Sequence, residues 1–372
     1  MPPSQLAKLM SKHRSHAEPP PCYATVFPGL EEVAAEEIEG ILKGQVKRTA
    51  SGLVVFRVPQ VDTAMLQLRT VEDVFLLAWG TDKLSYRASD LKRIRAWTAH
   101  DVDWDRLLRI HHAIRPKPKG KPSFHLVTQM TGEHGYRRTD ARKALAEGLA
   151  GKLPASWRPA EENAAVEIWL TIHDATAVCG LRLSDQTMRH RSYKLEHLPA
   201  SLRPTVAAAM ARLAQIKPRQ VVLDPMCGAG TILAEVLELA RAEGIRLANV
   251  WGGDLESNAL RATGPNLRRL GHVLLARWDA RSLPLPDRSV DRIVCNPPFG
   301  KQLSRPEDIG PLYQRFLREC DRVLRPGGRS VLLARDQAAL KDAAAALNWE
   351  CERQVRVRIL GQPAFVSAWR KD

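Results

Sequence analysis

From about Leu202 to the C-terminus the sequence alternates short apolar runs with amphipathic stretches, and this alternation constrains the fold more than any other feature. Runs of strand length occur at VVLD, VWGGD, VLLARWD, DRIVCN and RSVLLAR, with helix-like segments between them. Parallel neighbours in a sheet need a crossover of about a dozen residues or more, usually a helix, so the pattern predicts a doubly wound α/β sheet. Two further runs, QVRVRIL and AFVSAWR, have no helix between them. They are joined by Gly361-Gln362-Pro363, which predicts an antiparallel hairpin at the sheet edge.

The first half of the chain has a different rhythm. CYATVF reads as a strand, EEVAAEEIEGIL as an amphipathic helix, GLVVFRV (residues 52–58) as a strand, VDTAMLQLRT as a helix and VFLLAWG as a strand, closing a small αβ unit near residue 85. Residues 86–120 are basic and interrupted by prolines, and are expected to be irregular. A second unit begins at SFHLVTQMT, continues through the helix TDARKALAEGLAGKL and returns in VEIWLTIH and ATAVCGLRL as a hairpin.

Charge narrows the partners. With 56 Lys and Arg against 41 Asp and Glu, the net charge of +15 attracts polyanions such as nucleic acid. The excess is spread over folded segments and is densest from Arg87 to Lys152, with 15 basic and 7 acidic residues, including Arg115, Lys117, Lys119 and Lys121. The six cysteines form no CxxC pair and have no histidine at ligand spacing, so no zinc or other metal site is expected. Residues 1–21 end in three prolines and carry no apolar signal core, and no apolar run approaches a membrane-spanning length. A disordered lead-in, no membrane partner and a reduced cytoplasmic setting are therefore expected.

The chemistry is concentrated at strand ends. In VVLDPMCGAGTILAE an apolar strand ends in Asp224, a turn holds Gly228 and Gly230, and Thr231 opens an amphipathic helix. Such a turn places a ligand beyond the carboxyl ends of the strands; the helix N-terminus receives a carboxylate and Asp224 meets an ammonium group. Those are the two charges of an amino acid, and they suit the amino-acid end of S-adenosylmethionine. A dinucleotide site of the GxGxxG type is disfavoured, because Leu233 occupies the third glycine position. Asp254 ends the next strand, where a carboxylate accepts ribose hydroxyls, and Asp279-Ala280 follows the third, where a side-chain acceptor and a backbone N–H read an adenine edge. A lone Asp at a strand end is commonly a cap or turn residue; the ordered series of three is the stronger signal.

IVCNPPFG, residues 293–300, follows the fourth strand. Asn296 offers a side-chain carbonyl and Pro297 a backbone carbonyl in a frame stiffened by proline, two acceptors that grip an NH₂ group. Phe299 is placed to stack on a planar base, and Gly300 leaves room for it. Holding both amine hydrogens turns the nitrogen lone pair toward an electrophilic methyl group, so positioning supplies most of the acceleration.

DPMCGAGT followed by NPPF resembles the amino-methyltransferase branch of class I methyltransferases. Upstream, RHRSYKLEHLPASLRPTVAAAMARLA (residues 189–214) is similar to the junction in THUMP-domain RNA methyltransferases, and CYATVFPGLEEVAAEEI (residues 22–38) to the start of their N-terminal ferredoxin-like domain. The resemblance, closest to tRNA (guanine-N2)-methyltransferases, implies an N-terminal ferredoxin-like domain with a basic insertion over residues 22–122, a THUMP RNA-binding domain over 123–184, a linker over 185–204 and a Rossmann-like catalytic domain over 205–372. It implies S-adenosyl-L-methionine as cofactor and N2-methylguanosine as product, with position 6 of the tRNA acceptor stem as the target. The cofactor-contacting set is then Asp224, Pro225, Cys227, Gly228, Gly230, Thr231, Asp254, Leu255, Asp279, Ala280 and Asn296, and the catalytic set Asn296, Pro297 and Phe299. The THUMP strand FHLVTQMTG departs from the pattern, carrying Gln129 and Met130 where a basic residue is expected.

An NPPF loop recognises an amine and not one base, so a DNA adenine or glutamine side-chain methyltransferase shares the motif; the upstream resemblance disfavours both. Ribosomal RNA is the alternative substrate to tRNA, and a noncatalytic RNA-binding protein with a relic methyltransferase fold is the alternative of a different class. The intact Asp224, Asp254, Asn296 and Phe299 argue against a relic. A monomer is the expected state.

Overall fold

The computed structural model describes residues 18–116, 122–199, 201–298, 309–359 and 361–372. The chain divides into two compact units. One comprises the chain up to Thr25 with Ala35–Leu68 and Asp73–Met188, the other Val26–Ala34, Arg69–Glu72 and Arg189–Asp372. Among the described residues no helix is long and apolar enough to cross a membrane.

The first unit is built on a mixed sheet of eight strands: β1 (Cys22–Val26), β2 (Gln45–Ala50), β3 (Leu53–Arg57), β4 (Val71–Thr81), β5 (Ser123–Thr131), β6 (Arg158–Pro159), β7 (Val166–His173) and β8 (Thr176–Arg182). Their order is β2-β3-β1-β4-β8-β7-β5-β6, so the sheet runs without a break across residue 122, with β4 antiparallel to β8. The expected hairpin of β7 and β8 is present, and β5 lies parallel to β7. Tyr23, Phe75, Leu77 and Trp169 fill the core of one face; the Tyr23 and Phe75 rings stack at 4.5 Å.

The helices of this part of the chain are α1 (Glu31–Leu42), α2 (Ser89–His100), α3 (Trp104–Ile114), α4 (Arg138–Gly148) and the single turn α5 (Thr187–His190). Two of them correct the sequence reading, because residues 89–114, expected to be irregular, form α2 and α3. In α3 the buried Trp104, Leu107, Leu108, His111 and Ile114 recur at helical spacing, and the Asp103 carboxylate caps the helix by accepting the Arg106 N–H at 2.9 Å. The arginines between those positions occupy the outer face, and their density hid the period. VDTAMLQLRT is also corrected: only Thr63–Gln67 is helical, as a 3₁₀ turn capped by Asp62. The strand β2 went unpredicted. Helix α4 stops at Gly148, where a Cβ would lie 2.6 Å from the Thr98 Cβ of α2. Lys117, Lys119 and Lys121 lie outside the described residues, as does most of the N-terminal lead-in.

The second unit carries the predicted doubly wound sheet. Its strands β9 (Val221–Asp224), β10 (Asn249–Asp254), β11 (Leu274–Arg277), β12 (Val290–Cys295), β13 (Leu324–Ala334), β14 (Glu350–Ile359) and β15 (Gln362–Arg370) run in the order β11-β10-β9-β12-β13-β15-β14. The first five in that order are parallel, and β15 is antiparallel to both its neighbours, which makes the expected edge hairpin. Gln362 and Pro363, expected in its turn, belong to β15.

Helices α6 (Pro204–Leu213), α7 (Thr231–Ala242), α8 (Ser257–Leu267), α9 (Ile309–Val323) and α10 (Gln337–Ala345) complete this part. Helix α9 turns Tyr313, Phe316, Leu317, Cys320 and Val323 to the sheet, where they meet Ile293 and Leu332; in the other core cluster Leu233 and Ala234 of α7 pack with Val250 and Leu267. Phe316 is fully buried, and cutting it to alanine would cost about 3–5 kcal/mol. Both layers fix one edge of the sheet, the edge at which β9, β10, β11 and β12 all end.

Candidate active site

The central strand β9 is buried throughout and ends in Asp224, from which the chain turns sharply into α7. Gly228 and Gly230 make that turn with φ of 53° and 76°, values that side chains with a Cβ rarely adopt. Their surroundings differ. A Cβ on Gly228 would meet nothing within 4 Å, so the loop is open on that side, whereas a Cβ on Gly230 would lie 2.7 Å from the Thr263 Cγ2 of α8. Gly230 caps α7 without any side-chain hydrogen bond, and the first turn of the helix holds no acidic residue. No side-chain cap and no first-turn carboxylate therefore occupies its N-terminal N–H groups and the positive end of its dipole.

Neighbouring elements hold the loop in place. The Trp278 indole N–H donates to the Pro225 carbonyl at 3.0 Å, the Thr263 hydroxyl to the Gly228 carbonyl at 2.6 Å, the Asn266 amide to the Ala229 carbonyl at 2.9 Å and the Cys227 N–H to the Gly253 carbonyl at 2.9 Å. Trp278 packs against Gly253, where a Cβ would come within 2.1 Å of the ring. None of these supports was identified from sequence, because a Thr, an Asn and a Trp on separate elements carry no local signature.

A further support lies one turn into α7. Glu235 is fully buried and accepts from Arg69 at 2.6 and 3.0 Å, from Arg191 at 3.1 Å and from the Tyr193 hydroxyl at 2.7 Å; Arg69 also reaches Glu238 at 2.8 Å. A carboxylate this far from water is tolerated only with such a set of donors, and removing one partner of a buried pair costs about 3–5 kcal/mol. An acidic residue among the apolar residues of the first turns of the helix, TILAEV, was the one sequence signal for it.

The acceptors of the site fall into two states. Asp224 is 1% exposed; its Oδ1 accepts the Met226 N–H at 3.2 Å, while its Oδ2 is buried with no hydrogen-bond partner among the described residues. Burial pushes its carboxyl up to about 8, and the Met226 N–H pulls it back only in part. Asn296 directly follows β12, the parallel neighbour of β9, and its Oδ1 is likewise buried without a partner among the described residues. Pro297 is buried next to it.

Asp254 and Asp279 are already engaged. The Asp254 carboxylate accepts the Gly228 N–H at 3.0 Å and the Glu256 N–H at 2.9 Å, which ties the end of β10 to the glycine loop. Leu255 beside it is 51% exposed, an apolar side chain at the rim of the loop. Asp279 is gripped by Arg281, whose Nε lies 2.9 and 3.0 Å from its two oxygens, and these hydrogen bonds hold its carboxyl below the usual range. Ala280 is buried, and the following segment is clamped to α9 by Glu319, which accepts the Leu283 N–H at 2.7 Å, and by Arg322, which donates to the Leu283 and Leu285 carbonyls. The structure thus brings Asp224, Gly228, Asp254, Asp279 and Asn296 to one edge of one sheet. Phe299 and Gly300 lie outside the described residues.

These residues fit S-adenosyl-L-methionine. The unpartnered Asp224 oxygen suits its ammonium, the open helix N-terminus its carboxylate, and the Asp254–Leu255 corner a ribose beside a planar ring. Residues 191–363 match the family model described as RMKL-like, methyltransferase domain. A tRNA (guanine(6)-N2)-methyltransferase of Thermus thermophilus is 31% identical over 329 residues, covering 86% of this chain and 90% of the relative. A mouse U6 snRNA (guanine-N(2))-methyltransferase, THUMPD2, is 37% identical over 216 residues, 57% of this chain and 38% of that protein. The crystal structure of TrmN from Thermus thermophilus superposes with a TM-score of 0.76 at 28% identity, covering 95% of this chain and 99% of that one. The chain belongs to the tRNA (guanine-N2)-methyltransferase family of S-adenosyl-L-methionine-dependent enzymes.

Proposed function

We propose that the protein methylates N2 of a guanosine in tRNA, at position 6 of the acceptor stem. The observation that carries this reading is the Oδ1 of Asn296, buried at the strand end next to β9 and without a hydrogen-bond partner among the described residues. A buried acceptor left unpaired costs about 1–3 kcal/mol, a cost that an incoming N–H donor removes. In this reading Asn296 Oδ1 and the Pro297 carbonyl accept the two hydrogens of the guanine amine, and Phe299 stacks on the base. The lone pair of the amine nitrogen is then aimed along one direction by a frame that proline keeps rigid. S-Adenosyl-L-methionine supplies an electrophilic methyl group; Asp224 holds its ammonium and Asp254 its ribose, with Asp279 and Ala280 at the adenine. The surplus amine proton leaves to water, since neither Asn296 nor Pro297 accepts it covalently.

The name of the Thermus relative, which covers most of this chain, supports the choice of nucleotide. The net charge of +15 supports a polyanionic substrate. Residues 22–122 and 123–184 are read as ferredoxin-like and THUMP domains that capture RNA, 185–204 as a linker and 205–372 as the catalytic domain of a cytoplasmic enzyme. A base in a duplex hides its amine, so remote RNA contacts offset the few kcal/mol that exposing it costs. Labelled methyl donor supplied with bulk tRNA and, separately, ribosomal RNA tests the substrate. Label is expected in tRNA, in a fragment from the acceptor stem; label confined to ribosomal RNA would overturn the tRNA assignment.

A further inference from the structure

We infer that Tyr86, His134 and Tyr136, in the first unit, form a stacking platform for an unpaired nucleobase of the RNA substrate. The proposal rests on the RNA reading above and adds a site that shares no residue with the amine-gripping loop. The loop leading into α2 and the loop leading into α4 are joined where the Gly135 N–H donates to the Tyr86 carbonyl at 2.7 Å. Their rings form a short stack. Tyr86 lies over His134 with centroids 5.1 Å apart and planes at 27°, and His134 meets Tyr136 at 5.1 Å and 49°. The inner ring, Tyr136, is buried, whereas the outer one, Tyr86, is 40% exposed.

Tyr86 is also held in a conformation that its side chain disfavours. Its φ is +64°, in the left-handed region where a bulky residue is an outlier and glycine is relaxed. The facing loop uses glycine at its own left-handed position, Gly132 with φ +93°. A turn needing only its shape would be served better by glycine at 86, so the retained ring points to a role for the ring itself. The flanking charges name the partner. Arg87, Arg137 and Arg138 are all exposed; of the nearby carboxylates Glu133 is exposed, Asp140 accepts the Arg137 N–H at 2.8 Å and Asp90 is buried, accepting from Ser85. An exposed ring backed by a second ring and edged by arginines matches a base with its phosphates, and a base stacked inside a helix has no free face to offer it.

The test uses the full chain with Tyr86→Gly and Tyr86→Trp, an RNA hairpin with a single-stranded overhang, and the same hairpin fully paired. Tyr86→Gly is expected to melt at or above the wild-type temperature, because it relieves the backbone, yet to bind the overhang RNA about tenfold more weakly. Tyr86→Trp should bind it as wild type does, and neither variant should alter affinity for S-adenosyl-L-methionine or for the paired hairpin. Wild-type binding of the overhang RNA by Tyr86→Gly would overturn the platform, as would an equal loss on the paired hairpin. A lowered melting temperature of Tyr86→Gly would mark Tyr86 as structural. Wild-type protein that binds and methylates no RNA would overturn the underlying RNA reading instead.

Discussion

Asp224, the last residue of β9, and Asp279, two residues beyond the end of β11, lie at the same edge of the same sheet, and their carboxylates are in opposite states. Asp224 is buried, with one oxygen unpartnered among the described residues, and favours its protonated form; Asp279 is half-buried, ionised and gripped by Arg281. The residue type is shared, and the difference lies in the surroundings: Asp224 is buried and Asp279 half-exposed. Burial without a protein partner leaves an acceptor open to an incoming donor, whereas a half-exposed acceptor with its own partner enters binding by exchange. Asn296 belongs with Asp224, and Asp254 with Asp279. Four substitutions probe this division, from the largest expected effect to the smallest.

Asn296→Ala removes an acceptor that has no partner among the described residues. Turnover on RNA is expected to fall about 10²–10³-fold, the scale of removing one positioned hydrogen-bonding group, with cofactor affinity within about twofold of wild type by calorimetry. Equal losses in turnover and cofactor affinity would move Asn296 out of the amine-binding role.

Asp224→Asn leaves the shape but removes the charge that meets the ammonium, and cofactor affinity is expected to fall about 10- to 100-fold. The same residue makes a pH prediction. Its carboxyl is raised from 3.8 to about 8 in the folded protein, so the folded state holds a proton that the unfolded chain has released. That contribution to stability is complete below about pH 4 and is lost as pH rises through about 8, so cofactor-free wild type should show a fall in Tm over this range that Asp224→Asn lacks. Cofactor binding should release a proton at pH 7 and strengthen with pH up to about 8. Proton release that persists in Asp224→Asn would place the titrating group elsewhere.

Asp254→Ala frees the Gly228 N–H as it removes the ribose acceptor. About a tenfold loss of cofactor affinity is expected, with turnover at saturating cofactor largely kept. Arg281→Ala should have the smallest effect: with the competing cation gone Asp279 is available from the start, and affinity should rise by no more than about fivefold, the range of an exposed ion pair. A loss of affinity there would show that Arg281 itself touches the cofactor.

The same division between buried and exposed explains what the sequence displayed. Strands β9, β10 and β12 were legible because central parallel strands are continuous apolar runs, and their loops because glycines and acidic residues stand at fixed offsets from them. Helices α2 and α3 were not. Their buried positions keep a helical period, but arginines and lysines on the outer faces dominate any reading by composition. Of the candidate site, the strand-end residues Asp224, Gly228, Asp254, Asp279 and Asn296 were singled out from sequence and lie at one sheet edge, while the groups that brace their loops were missed. Glu235 shows why: its partner Arg69 is 166 residues away, and only folding brings them together. Trp278 was read as the end of a strand, and its contact with the Pro225 carbonyl depends on Gly253 lacking a side chain.

The most direct test of the account is nucleoside analysis of a single tRNA transcript methylated with labelled S-adenosyl-L-methionine by wild type and by Asn296→Ala in parallel. Wild type should yield N2-methylguanosine at position 6, and Asn296→Ala almost none at matched cofactor saturation. Label on a ring nitrogen, a ribose or another base's amine, or equal N2-methylguanosine from both proteins, would contradict it.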